Sequence, residues 1–192
     1  MTTMTRSIPG GRLRWLCLMM ALASMVFLSG LLPAGAHGQT GGEPSALNAA
    51  QNQNMELFRR YIEEVWNAGN TTSLDELLTT NHVGHSSGLQ DVGVGMGPVH
   101  GLIDDFRTAF LDWHFTVEAI AVSGDDVLAR LRGTGTHSGP LVTPYDGVVA
   151  PSGQTVTLFV IVDARFDHGK IIEQWFEFDA AALLRQLRYS ES

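Results

Sequence analysis

An α+β fold, with helices packed on one face of a curved antiparallel sheet, follows from the order of two hydrophobic periods along this 192-residue chain. Between Met55 and Phe110 the apolar residues recur at helical spacing, and from Trp113 onward they alternate with polar ones. Glycine-containing turns at Ser123-Gly124-Asp125 and Asp167-His168-Gly169 separate alternating runs and make two of the connections tight hairpins. Helices first and a run of antiparallel strands afterwards is the order of an α+β domain.

Element by element, Met55, Phe58, Ile62, Val65 and Trp66 share one helix face, and Asn67-Ala68-Gly69 closes that helix with a glycine cap. Ser73 with Glu76 reads as a capping box for a short second helix carrying Leu74, Leu77 and Leu78. Residues 81–97 are glycine-rich and read as loop, with a short strand at His82–Ser86. Pro98 suits the first position of a third helix that turns Val99, Leu102, Ile103, Phe106 and Phe110 inward. Trp113–Val122, Val127–Ser138, Thr155–Phe166 and Ile171–Phe178 are the strands, and Ala180–Leu187 is a closing helix. Gly133 and Gly135 inside the second of these strands predict a bend or bulge there. A sheet bent around three helices leaves a cavity at its mouth.

The N-terminus follows different rules. Arg6, Arg12 and Arg14 precede an apolar block from Trp15 to Leu32, no acidic residue occurs, and Ala34-Gly35-Ala36 supplies small residues at signal-peptidase spacing. Residues 1–36 are therefore expected to be a cleaved signal peptide, with an uncleaved membrane anchor as the alternative. Residues 37–52 read as a flexible leader and 53–189 as the folded domain. Cys17, the single cysteine, lies in the apolar block, so the mature domain has no disulfide and no thiolate chemistry. Nine basic residues then face twenty acidic ones, a net charge near −11, which excludes nucleic acid and anionic membrane as partners.

Five features stand in order over the last sixty residues: Gly135-Thr136-His137-Ser138-Gly139, Ala150-Pro151-Ser152-Gly153, Arg165, Gly169-Lys170-Ile171, and Asp179 ahead of Leu183-Leu184-Arg185-Gln186-Leu187. In this the chain resembles the SnoaL-like polyketide cyclase (ester cyclase) family of the nuclear transport factor 2-like superfamily, over residues 55–187. The resemblance implies a cone-shaped, cystatin-like fold whose open end holds a small apolar molecule, a homodimer paired through the outer face of the sheet, and cofactor-free, metal-free proton transfer. Counted from the Gly-Lys-Ile hairpin, the family's acid falls on Phe176 and its histidine on Val162.

Strand parity places Phe176 with Ile172, Gln174 and Phe178 on one face, and Val162 with Val156, Leu158 and Val160. Those faces are expected to line the pocket, with Gln174 as its polar outlier. Asp163, Glu173 and Glu177 then face outward unless a bulge shifts the parity and brings Glu177 inward. His137 continues the inward face of Val127, Ala129 and Leu131 and is the first candidate acid or base; a histidine bonded to backbone at a strand end is the alternative. Asp179 is either a helix N-cap or a second candidate acid, and Glu177 a third. Trp113 reads as core or as pocket wall, and His85 joins the substrate-binding set because similar family members carry a histidine nearby. His82 and His85 lack a third ligand at defined spacing, so no metal site is expected. Arg130 and Arg132 are expected to pair with Glu173 or Glu177 across the sheet. The function expected from all this is an exported domain binding a small apolar molecule, with cyclase or isomerase chemistry. A non-catalytic binding or dimeric assembly module is the alternative.

Overall fold

The computed structural model describes residues 46–87, 92–143 and 147–188; the signal-peptide segment and Cys17 lie outside them. The first helix, α1 (Ala49–Arg60), starts inside the expected leader, because Asn48 and Gln51 form a reciprocal capping box. It runs directly into a π-helical turn, Tyr61–Asn67, whose four buried residues are Tyr61, Ile62, Val65 and Trp66. A π-turn bonds i to i+5, which brings Tyr61 and Trp66, five apart, to the same inward side. Arg107 closes the end by donating to the carbonyls of Trp66 (2.9 Å) and Asn67 (3.1 Å). Gly69 (φ +71°) leaves the space for it, since a Cβ there would sit 2.5 Å from the Arg107 Nε.

A 3₁₀ turn, Thr71–Ser73, leads into one turn of helix, α2 (Leu74–Leu77). The Ser73–Glu76 capping box does not form. Ser73 donates instead to Glu64 (2.6 Å), and Glu76 pairs with Arg60 (2.6 Å), so both side chains tie α2 back to the first helix. Strand β1 (Leu78–Ser86) contains the expected short strand His82–Ser86 and begins four residues earlier, directly after α2. Short β2 (Gly93–Val94) precedes α3 (Met96–Ala109), where Pro98 is the third residue and Val99, Ile103 and Phe106 face the core.

The remaining strands are β3 (His114–Ser123), β4 (Asp126–Thr136), β5 (Leu141–Thr143), β6 (Gly147–Val149), β7 (Thr155–Asp167) and β8 (Lys170–Phe178), followed by α4 (Ala180–Arg188). Six strands form one curved sheet in the order β2-β1-β8-β7-β4-β3, and β5 pairs with β6 separately. The sheet is mixed: β1 runs parallel to β8, while every other neighbour is antiparallel. Two residues with positive φ, His168 (48°) and Gly169 (75°), turn β7 into β8, the pattern of a two-residue hairpin loop.

Register decides which side chains face the helices. Along β7 the alternation is unbroken, with Val156, Leu158, Val160, Val162, Ala164 and Phe166 buried. In β8 the pairing shifts between Phe166↔Ile171 and Arg165↔Glu173, leaving Ile172 as the extra residue of a bulge. Ile171, not Ile172, is therefore the buried one. Because the bulge precedes Glu173, Gln174, Phe176 and Phe178 still face inward and Glu177 stays outside. The pairing of β4 with β7 shows no shift at Gly133 or Gly135; the bulge of that region lies in β3, at Glu118. The two glycines instead clear room for the Trp113 indole, which a Cβ on Gly133 would approach to 2.1 Å.

Candidate functional site

Between the helices and the inner face of the sheet lies a cavity of about 70 Å³, lined by Ile62, Trp66, Leu102, Phe106, Phe115, Leu131, Leu158, Val160, Phe176 and Phe178. Its wall is almost wholly apolar, and no titratable side chain is part of it. The aromatic rings meet edge to face around Trp66, with centroids 6.1 Å from Phe106, 5.5 Å from Phe115 and 6.3 Å from Phe176. Trp66 is held in place by the Arg107 clamp and by Asn67, whose side chain bonds the Phe115 N–H (2.7 Å) and carbonyl (3.0 Å).

Of the residues singled out from the sequence, Phe176 is in this wall, half-buried. Val162 is fully buried opposite it in the β7–β8 ladder and belongs to the core behind the cavity. Trp113 (2 % exposed) is core as well, boxed by Phe106, Phe110 and Phe115 with centroids 4.8–5.4 Å away. His85 lies on the outer face, stacked on Trp175 at 5.1 Å and bonded to Glu173 at 2.9 Å.

The three candidate acid–base groups lie outside the cavity and apart from one another. His137 is fully buried beside Phe110 (5.3 Å between rings), where its Nδ1 accepts the Ser152 N–H at 3.1 Å. Burial holds its pKa below the ordinary imidazole value. Asp179 caps α4, accepting the Ala182 N–H at 2.8 Å, and Glu177 is exposed on the outer face with Ser87 as its partner. Arg130 and Arg132 pair with Glu118 on the β3 bulge (3.2 and 3.3 Å), since β4 borders β3 and β7 and never meets Glu173 or Glu177.

A second group of polar residues converges outside the cavity wall: Gln174, expected from strand parity as the pocket's polar outlier, His82, weighed with His85 as a metal ligand, and Tyr61, which no sequence signal singled out. Gln174, fully buried, accepts from His82 Nε2 at 3.1 Å, and His82 is fully buried too. The parallel β1–β8 pairing makes this contact, with Gly84 opposite Gln174 and His82 two residues back on the same face. Tyr61, also fully buried, sits with its hydroxyl beside the side chains of Trp66 and Gln174. Burial pushes the Tyr61 pKa up to about 12 and holds that of His82 down, so both are neutral near pH 7. The signal available beforehand was Gln174 itself: a lone amide on an apolar strand face needs a partner, and His82 lay on the strand that supplies it. His82 and His85, three apart on β1, point to opposite faces, and among the described residues no cluster of three or more potential ligands could hold a metal.

Residues 56–187 match the model of the SnoaL-like polyketide cyclase family. The chain belongs to that family. Among solved structures, this SnoaL-like chain is similar to a candidate SnoaL-like polyketide cyclase from Jannaschia sp. CCS1, with 25% identity, a TM-score of 0.67, and 75% of this chain and 97% of that one covered. It is also similar to wild-type IdmH, a candidate polyketide cyclase from Streptomyces antibioticus, with 26% identity, a TM-score of 0.60, and 71% and 99% covered. A Mycobacterium tuberculosis epoxide hydrolase of the LEH-like kind shares the fold at 15% identity and a TM-score of 0.53. A search among curated proteins returns no match. The cone-shaped α+β fold expected from the sequence is thus the fold of its structural neighbours.

Proposed function

We propose that this SnoaL-like domain is exported and binds a small, largely apolar molecule in its cone. The observation that carries the reading is the cavity wall of ten apolar side chains around Trp66 and Phe176. Small-molecule sites are lined predominantly by hydrophobic and aromatic side chains, as this cavity is. Trp66 makes the test direct: titrating the protein with small aromatic hydrocarbons should change its tryptophan emission saturably. Phe176→Ala should shift the preference toward larger rings without abolishing binding. The half-buried ring makes the substitution cheaper than the about 3–5 kcal/mol of a fully buried phenylalanine. Unsaturable emission changes in both proteins would sink the reading.

A second reading, cofactor-free acid–base chemistry of the cyclase or isomerase type, is favoured by the buried His82 and Tyr61 beside the cavity wall. Phe176 stands where the family's acid falls by count, so such chemistry would run through these groups, and not through His137, Asp179 or Glu177.

Export rests on residues 1–36, and the mature protein is expected to begin at or within a few residues of His37; N-terminal sequencing of secreted material that returned Met1 would count against it. No helix among the described residues is long and apolar enough to cross a membrane. Homodimerisation is supported by Leu128 (40 % exposed), Phe159 (56 %) and Ile161 (47 %), which stand together on the outer face of β4 and β7. Sedimentation at micromolar concentration should give a dimer, and Phe159→Glu a monomer; a wild-type monomer would reject this assembly.

A further inference from the structure

A polar hollow of about 360 Å³ lies between the start of α1 and two hairpin turns. Gln53 and Asn54 line it from α1, Asp125 from the β3–β4 turn and Asp167 from the β7–β8 turn, with Phe166 and Ala50 as its apolar wall. The two turns are tied together, since the Phe166 N–H donates to the Asp125 carbonyl at 2.9 Å. Gly169 holds the second turn against the helix: a Cβ there would stand 3.5 Å from Gln53 Nε2. Asn54 precedes Ile62 of the cavity wall by about two helical turns, so the hollow and the apolar cavity are separate places.

Asn54 carries the argument. It is only 7 % exposed, yet its carboxamide has no hydrogen-bond partner among the described residues. Buried amides are nearly always paired, so an unpaired one lining a hollow marks a place for a bound polar group. The carboxylates beside it are uncommitted as well. Asp125 has no ion-pair partner among the described residues, and Asp167 has only the exposed His168 imidazole, at 2.6 Å. Cations close in sequence are engaged elsewhere. Arg165 pairs with Asp126 (3.2 Å) and Glu173 (3.0 Å), and Lys170 donates to the Asp75 carbonyl at 2.7 Å.

We propose that this hollow binds a small primary amine, whose ammonium meets the Asp125 and Asp167 carboxylates and the Asn54 carbonyl oxygen while its short alkyl stem lies on Phe166 and Ala50. An ammonium carries three N–H donors, and these three side chains offer it three acceptors. The sign of the charge follows from the wall, which holds two carboxylates and no lysine or arginine, so an anion is repelled. A bare divalent cation fits poorly, because hard ions take about six to eight oxygens and only two charged ligands line a hollow far larger than an ion. The amine site uses no group of the cone and stands whether or not the cone holds a ligand.

The test follows the side-chain NH₂ signals of Asn54 in ¹⁵N-labelled mature protein titrated with n-butylammonium chloride, n-butanol, sodium chloride or calcium chloride. Butylammonium should shift them saturably, with a dissociation constant on the order of 1 mM, and none of the other three should reproduce the shift. Asp125→Asn with Asp167→Asn should weaken butylammonium about tenfold. Asp104→Asn with Asp105→Asn removes the same charge from α3, outside the hollow, and should change the affinity less than about twofold. Asn54→Leu, close to asparagine in volume, should weaken binding about fivefold or more. A shift reproduced by sodium chloride or butanol, or equal weakening by the two double variants, would overturn the site in favour of bulk charge or alkyl contact. A stronger saturable shift with calcium would make the hollow a metal site, and Asn54→Leu binding like wild type would remove the residue on which the assignment rests; either overturns it. The four titrants are compared on wild type, so that comparison decides even where a variant fails to fold.

Discussion

Gly133→Ala is expected to destabilise the domain by about 3 kcal/mol or more, the upper range for overpacking a core. The added methyl would stand 2.1 Å from the Trp113 Cζ2 and 2.8 Å from two further indole atoms. Trp113 has nowhere to go, because Phe106, Phe110 and Phe115 surround it and it is only 2 % exposed. Backbone movement is equally restricted, since Gly133 is paired with Phe115 on one side and Leu158 on the other, in the middle of the sheet. Gly101 supplies the control of opposite sign. It is exposed within α3 with nothing within 4 Å of a Cβ, so Gly101→Ala should stabilise by up to about 1 kcal/mol through helix propensity alone. Chemical denaturation of the two variants measures both; a Gly133→Ala protein as stable as wild type would show that the Trp113 packing described here is wrong.

His137→Ala is expected to cost about 2–4 kcal/mol, although a histidine at the mouth of the cone would have been dispensable for stability. The ring is fully buried against Phe110, and its removal leaves both a cavity and the Ser152 N–H without its acceptor. The loss should depend on pH. His137 and His82 both have folded-state pKa values lowered by burial, so the unfolded chain takes up protons first as the pH falls through its ordinary value near 6.5. Wild-type stability should therefore decline below about pH 6.5, by at most about 1.4 kcal/mol per pH unit for each histidine. His137→Ala should flatten that slope by one proton's share, and its stability deficit should narrow toward pH 5. A deficit independent of pH would mean that His137 is not held neutral in the folded protein. Turnover lost without loss of stability would restore it as a catalytic candidate.

Whether a side chain finds its partner among its neighbours or on a distant element decides which sequence readings hold. Of the two readings open for Asp179, the cap is the one formed, because an N-cap is a local device, satisfied by Ala182 three residues on. Ser73 carries the same local signature, yet its hydroxyl goes to Glu64, where a longer-range partner outcompetes the cap. Helix α1 starts inside the expected leader because Asn48 and Gln51 make a capping box from less common letters. His137 looked like a site residue from its strand parity, but parity says only that a side chain faces inward; what packs over it, here Phe110, comes from another element.

Local order determined what local order can. The helical and alternating periods, the two hairpin turns and the inward set of β7 are properties of neighbouring residues, and they stand in the sequence for anyone who counts. The family resemblance rests on local motifs as well, with Gly135–Gly139 at the end of β4, Gly169–Ile171 at the β7–β8 turn and Asp179 ahead of α4, and residues 56–187 match the family model. Only the tertiary structure decided the site. The Ile172 bulge turns Ile171 and not Ile172 into the core, the parallel pairing carries His82 to Gln174, 92 residues away, and the π-helical turn brings Tyr61 beside both Trp66 and Gln174. Each is a choice of register between distant segments, and its energy is won by packing and by pairing buried polar groups, terms that no residue's own neighbours express.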